Sequence, residues 1–363
     1  MKKILVACFL LLALTGCGTT QKQAKTIKNP VPTYAPIDTT ISYYAYSELS
    51  SSEQVLYARM LDAINNYQAK ITSVDGSVSV DEAFKVANYI MLEHPEIYYF
   101  TGGCNVKYDD EGVHELDLTY DLDKNTTKNN LAQIDSIASD FASKNAYATD
   151  YEKALAIFNY LAENVTYDEA FADASKADTT ESAPYNPSTS IEGVFLNHTA
   201  ICSGYAQAFE LLAHRLGIEA VSVTGTGKSG EGHEWVLAKL DGEYYYIDPT
   251  WGDQDTWIDY SYFAMTSDQL NKEHTTDETL LNYPVAESNA DDYFVKNNIM
   301  FTEYNLDNFK QGFTQVRYST PEAYALAKEH LFNRQEIFKL TKSSKAQTVS
   351  NDNYLTIKIF EEN

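Results

Sequence analysis

Cysteine is scarce in this chain: only 4 occur in 363 residues, at Cys8, Cys17, Cys104 and Cys202. That excludes a disulfide-stapled scaffold. Positive charge is scarce too, with 27 Lys and Arg against 52 Asp and Glu and a net charge of −25. Such a field repels phosphate backbones, which excludes nucleic acid as a partner. It also repels anionic lipid headgroups, so any membrane attachment has to be non-electrostatic. Long apolar runs are missing. The longest, from Ile4 to Leu14, falls well short of the ~20 residues a spanning helix needs. There is no phosphate loop, dinucleotide fingerprint or internal repeat. The histidines other than His233 (His94, His114, His198, His214, His274 and His330) show no ligand spacing with cysteine, so no metal and no cofactor is expected. What the chain does have is 44% hydrophobic residues and 28 tyrosines, ample for a packed core.

The first residues are Met1-Lys2-Lys3, then the short apolar run, then Leu14-Thr15-Gly16-Cys17. A basic start and a short apolar stretch read as a secretory signal. The last four residues resemble the bacterial lipoprotein cleavage box. The resemblance implies cleavage before Cys17 and lipid on its sulfur, and several acyl chains hold a protein stably on a bilayer. The expectation is therefore residues 1–16 as signal, 17–42 as a flexible tether and a location on the extracytoplasmic face of the cell membrane. With Cys8 removed and Cys17 lipidated, Cys104 and Cys202 remain. A bridge between them would silence Cys202, and Cys104 reads as a small buried side chain.

Beyond the tether, residues 43–145 read as an N-terminal α+β region. Leu56, Met60 and Ile64 repeat at helical spacing, as do Ala83, Val86 and Ile90. Two alternating segments flank Asp109-Asp110-Glu111-Gly112, a hairpin signal. Thr149 with Glu152 three residues on is a capping box, which opens a second unit over residues 146–265. Residues 170–190 are polar and rich in Ser, Thr and Asp, and predict a surface loop. Residues 266–363 form a C-terminal α+β extension, with a helix start at Thr320-Pro321-Glu322.

Chemistry concentrates in three stretches: Ile201-Cys202-Ser203-Gly204-Tyr205-Ala206, Gly232-His233-Glu234-Trp235, and Ile247-Asp248-Pro249-Thr250-Trp251. Tyr205, Phe209, Leu212 and Leu216 follow Cys202 at helical spacing, so Cys202 starts a buried helix. A thiol there meets the positive end of the helix and its unpaired N–H groups, which favour thiolate and can hold an oxyanion. A two-residue Asp241-Gly242 turn pairs Leu240 with Glu243. Continued, that register sets Trp235 opposite Asp248 and His233 opposite Thr250, so His233 and Asp248 share a face as diagonal neighbours. The set is a nucleophile, a general base and an orienting carboxylate.

In this order, with Trp235 two residues after His233 and with Asp-Pro-Thr-Trp, the chain resembles the transglutaminase-like superfamily of papain-type folds. The resemblance covers about residues 150–257. His94-Pro95-Glu96 and residues 293–301 also look like parts of lipoproteins of this type. It departs from the family at Asn197-His198-Thr199, where glycine often precedes the nucleophile, and at Val236, where asparagine is common. The resemblance implies an α+β papain-like core, with a nucleophile helix packed on an antiparallel sheet. It also implies acyl transfer through a thioester, from peptide, protein or cell-wall peptide amides to water (a peptidase or amidase) or to an amine. Asn197 and Ser190 are candidates for the second oxyanion donor, and Trp235 and Trp251 for the cleft. The competing expectation is a cell-surface interaction module that keeps the fold without turnover.

Overall fold

A computed structural model describes residues 41–72, 78–110, 112–146, 148–177, 185–309, 315–340 and 345–360. The signal segment, Cys17 and nearly all of the tether lie outside these residues. No helix among the described residues is long and apolar enough to cross a membrane.

Helix α1 (Tyr44–Ser47) leads into α2 (Ser51–Asn65) and α3 (Val80–Glu93). Each of the two longer helices starts at a capping box, Ser50 with Glu53 and Ser79 with Glu82, which satisfies two helix-end donors reciprocally. Helix α2 spans the Leu56, Met60 and Ile64 period, and beyond it Tyr67 takes φ 55°, outside the helix. Glu93 ties α1 down. Its buried carboxylate accepts from the N–H groups of Ala45 and Tyr46 and from the Tyr57 hydroxyl. Burial pushes that carboxyl up to about 7 against these bonds. Strands β1 (Lys70–Thr72), β2 (Phe100–Asp109) and β3 (Gly112–Tyr120) form an antiparallel sheet in the order β1-β3-β2, with Asp109 paired to Gly112 across the expected hairpin.

Helices α4 (Lys124–Asn145) and α5 (Asp150–Asn164) follow, and the Thr149–Glu152 capping box opens α5. Strand β4 (Thr166–Tyr167) comes next. The segment predicted as loop from 170 then begins as a helix, α6 (Glu169–Ala177). Asp168 explains the difference: its side chain accepts from the Phe171 N–H and its carbonyl from the Ala172 N–H, both at 2.9 Å. The helix is then held by Phe171 and Ala172, which pack against Ile201 and Cys202. Polar composition concealed a short helix with one apolar side. Strand β5 (Thr199–Ala200) pairs in parallel with β4.

Helix α7 (Cys202–Arg215) is buried along most of its length and packs on an antiparallel sheet. That sheet consists of β6 (Ala220–Gly227), β7 (Gly232–Leu240), β8 (Glu243–Ile247) and β9 (His274–Thr276), in the order β8-β7-β6-β9. Gly217, at φ 78°, ends α7. Asp241 and Gly242 both have positive φ, 50° and 97°, as the tight hairpin turn between β7 and β8 requires. Leu240 pairs with Glu243, and pairing continues to Val236 opposite Ile247. It stops there because Pro249 opens helix α8 (Pro249–Gly252), so Thr250 does not face His233 across a ladder. One contiguous apolar core joins the N-terminal region to this unit. After α9 (Ser267–Leu270) and α10 (Tyr293–Lys296) come β10 (Met300–Phe301), β11 (Gln315–Tyr318), α11 (Pro321–Lys328), β12 (Thr348–Asn351) and β13 (Thr356–Ile359). These strands form a second sheet, β10-β11-β13-β12, over a smaller core that includes Val316, Tyr324 and Ile357.

Candidate active site

Cys202 is the first residue of α7, and its thiol is wholly buried at 0% exposure. Ile201 precedes it in extended conformation and supplies no side-chain cap, so no Ile201 side chain occupies the N–H groups of the first turn. The helix start is pinned by its neighbours. The Ile201 N–H donates to the Ser188 carbonyl at 2.8 Å, and the Ser203 hydroxyl to the Thr189 carbonyl at 3.0 Å. Gly204 lets this wall approach: a Cβ there would meet Ala200 Cβ at 2.8 Å and the Ser188 and Ser190 carbonyl oxygens at 3.0 and 3.1 Å. Gly204→Ala should therefore displace the first turn at a cost of about 1–3 kcal/mol. The expected result is a lower melting temperature and slower alkylation of Cys202, with far-UV circular dichroism unchanged.

His233 sits on β7 opposite Gly225 of β6, and His274 on β9 opposite Gly227 of the same strand. Positions 225 and 227 lie on one face of the sheet, so the two imidazoles come to that face from either side of β6. Close packing around both positions leaves no room for a side chain on β6 there. A Cβ on Gly225 would strike the Thr275 carbonyl and the Trp235 ring, and one on Gly227 would press on Glu231 and Trp251. The imidazole centroids are 5.6 Å apart.

Asp248 joins them. It is the N-cap of α8, with Pro249 at the first helical position, where Asp and Pro are each favoured. One oxygen, Oδ1, accepts from the N–H groups of Thr250 and Trp251 at 3.0 Å each. The other, Oδ2, lies 2.8 Å from His233 Nε2 and 3.0 Å from His274 Nε2. All three side chains are fully buried. Burial alone would push the Asp248 carboxyl up; the charge and hydrogen bond of His233 and the hydrogen bond of His274 outweigh it and hold the group well below the usual carboxylate range.

His233 thus spends Nε2 on Asp248. Its Nδ1 is buried and has no hydrogen-bond partner among the described residues. Trp251 stacks on the same ring at 4.7 Å and 18°, fixing its plane. Trp235 is fully buried, 5.8 Å from the His233 ring and 4.9 Å from that of His274. Tyr205 of α7 donates to Asp253 at 2.7 Å, tying the nucleophile helix to the turn that carries Asp248. A base held through one nitrogen with the other left open has the parts needed to move a proton to and from a reacting group.

The other sequence candidates fall elsewhere. Ser190 is buried and engaged: its hydroxyl lies 2.9 Å from Tyr185 Oη and 3.1 Å from the Pro187 carbonyl, and accepts from the Glu192 N–H. Asn197 is exposed at the end of a π-helical turn, Gly193–Asn197. His274 is the residue sequence reasoning missed. It reaches the site through β9, whose pairing with β6 no local sequence pattern announces. His233, Asp248 and His274 are metal-ligating residue types whose ligand atoms lie within 4.8 Å of one another. The 2.8 and 3.0 Å contacts are direct hydrogen-bond lengths, whereas neighbouring ligand atoms on a tetrahedral zinc are about 3.3 Å apart. The set is hydrogen-bonded.

Residues 136–249 match the model of the transglutaminase-like superfamily, so this part of the chain is a transglutaminase-like domain. The chain is similar to the Kyphoscoliosis peptidase of Homo sapiens, 27% identical over 130 residues, which make up 33% of this chain and 18% of that protein. Among solved structures, a TGase is 20% identical, with TM-score 0.31, over 41% of this chain and 44% of its own. A protein provisionally assigned as a cysteine protease from Cytophaga hutchinsonii is 18% identical, with TM-score 0.25, over 38% of this chain and 51% of its own. The chain therefore spans about half or less of each of these relatives.

Proposed function

We propose that this chain is a cysteine enzyme that moves acyl groups from peptide or protein amides through a thioester. The observation that carries the proposal is the divided imidazole of His233, with Nε2 on Asp248 and a buried, unsatisfied Nδ1, in a domain whose nucleophile helix starts at a cysteine. Cys202 sulfur, as thiolate, attacks the amide carbon; a C–S bond forms and the carbonyl electrons move to oxygen, toward N–H groups at the start of α7. When the C–N bond breaks, His233 Nδ1–H gives its proton to the departing amine. Water or an amine then attacks the thioester, His233 takes its proton, and the sulfur leaves. Asp248 keeps the ring in the required tautomer throughout. Hydrolysis is the favoured outcome, since water is the abundant acceptor. The Leu14–Cys17 box supports export and attachment through lipid on Cys17 to the extracytoplasmic face of the cell membrane, which would make surface or wall peptides the substrates.

One observation favours a second reading, a non-catalytic surface module: Cys202 is wholly buried against Ile201, Ala172, Phe171 and Tyr167. An acyl donor has to displace part of that cover. The two readings separate on incubating the protein with wall and protein-derived peptides plus a labelled primary amine, followed by mass spectrometry. Catalysis predicts hydrolysed or amine-linked products that disappear in Cys202→Ala. Absence of both, with Cys202 inert to thiol reagents, would leave the module.

A further inference from the structure

We infer that His274 is held as an imidazolium and acts as a positioning residue, the fixed positive partner of Asp248 that frees His233 to exchange its proton. The inference rests on the proposed roles of Cys202, His233 and Asp248. Hydrogen-bond polarity is its first support. His274 Nε2 is 3.0 Å from Asp248 Oδ2, and Nδ1 is 3.3 Å from the Leu270 carbonyl oxygen. Both partners are acceptors, and a neutral imidazole has one N–H to give. Both contacts are made only by the doubly protonated ring. Asp248 is not the source of the missing proton: Oδ1 accepts from the Thr250 and Trp251 N–H groups, and the carboxyl is held well below the usual carboxylate range.

Charge balance is the second support. A buried carboxylate without a compensating charge is expensive. If His233 were its sole partner, each transfer of the His233 proton would strand Asp248 as a lone buried anion. With His274 charged, the Asp248–His274 pair stays neutral in every protonation state of His233. The surroundings suit a cation: the Trp251 ring lies 4.3 Å from that of His274 at 39°, and an aromatic face within about 6 Å attracts positive charge. The titratable groups that meet the ring are Asp248 from the cap of α8, His233 from β7 and Tyr262 from the turn before α9. Its chain neighbours turn away, Lys272 to the Asn353 carbonyl and Glu273 to Tyr262 and Asn353.

Two measurements test this on the chain as it exists. Nitrogen-15 NMR of histidine-labelled protein should show both His274 nitrogens protonated from pH 5 to 9; a single-proton tautomer in that range overturns the inference. The second is the pH profile of thioester hydrolysis in His274→Gln, whose amide can still donate to Asp248 but carries no charge. Removing the cation leaves Asp248 uncompensated and makes His233 hold its proton more tightly, so the limb that requires neutral His233 should move up by about one pH unit. Superimposable profiles for wild type and His274→Gln would also overturn it. If the variant does not fold, the NMR result on wild type decides. The failure of the proposed function reads differently: Cys202 would then be no more reactive than an ordinary thiol, whatever the protonation of His274.

Discussion

Replacing Cys202 with alanine is expected to remove turnover entirely, leaving a residual rate at least about 10⁴-fold below wild type, because no other group at the site can form the thioester. The variant should fold. Alanine has high helix propensity, and the side chain lost is a small one whose neighbours Ile201, Ala172 and Phe171 remain packed. A loss of stability of about 1 kcal/mol is expected from the small cavity. Progress curves with any peptide that wild type consumes, alongside thermal melts of both proteins, check both halves. Retained turnover in Cys202→Ala would remove the nucleophile assignment.

Asp248 carries the second large effect, and it acts in two ways. Asp248→Asn preserves shape but presents an amide where two N–H donors converge, so one imidazole has to flip its tautomer or lose its bond. His233 then turns its hydrogen toward the thiol, and the expected fall in turnover is about 10³–10⁴-fold. Asp248→Ala goes further, because it strands both buried histidines and uncaps α8. The expected cost is about 3–5 kcal/mol, a large share of the roughly 5–15 kcal/mol that holds an ordinary domain folded.

The pH dependence of stability follows from the depressed Asp248 carboxyl. A group lowered in the folded state contributes stability that is fully present above its unfolded value of about 3.9 and is lost as pH falls through the folded one. Wild type should therefore lose melting temperature on the acid side more steeply than Asp248→Asn. Chemical denaturation of the two proteins between pH 3 and 7 measures this, and parallel curves would contradict it.

How much of this was legible beforehand depends on how local each cause is. The thiol at a helix start was readable from Tyr205, Phe209 and Leu212, because a helix declares itself by period. The hairpin register was readable because Asp241-Gly242 permits one tight turn, and that turn fixes every pair back to Val236 with Ile247. Asp248 was legible as a diagonal neighbour of His233. Its second duty as helix cap was written in Asp-Pro, and that duty ended the strand before Thr250. His274 was not legible, since it reaches Asp248 through a strand 26 residues downstream that pairs on the far side of β6, and no local period encodes that pairing. For Ser190 and Asn197 as oxyanion-donor candidates, no local pattern fixes where the side chain ends up. The Tyr185 and Glu192 contacts of Ser190 and the exposure of Asn197 are tertiary outcomes. Helix α6 escaped because its apolar side is only a few residues wide.

The most direct test of the central claim is the rate of Cys202 alkylation by a small electrophile across pH 5–9, in wild type and in His233→Ala. A thiolate stabilised by the α7 terminus and by the charge of protonated His233 should react at neutral pH and keep reacting below pH 7, and His233→Ala should slow that neutral-pH reaction at least tenfold. A rate that climbs only around pH 8.5, as for an unperturbed thiol, and is the same in both proteins would contradict the account.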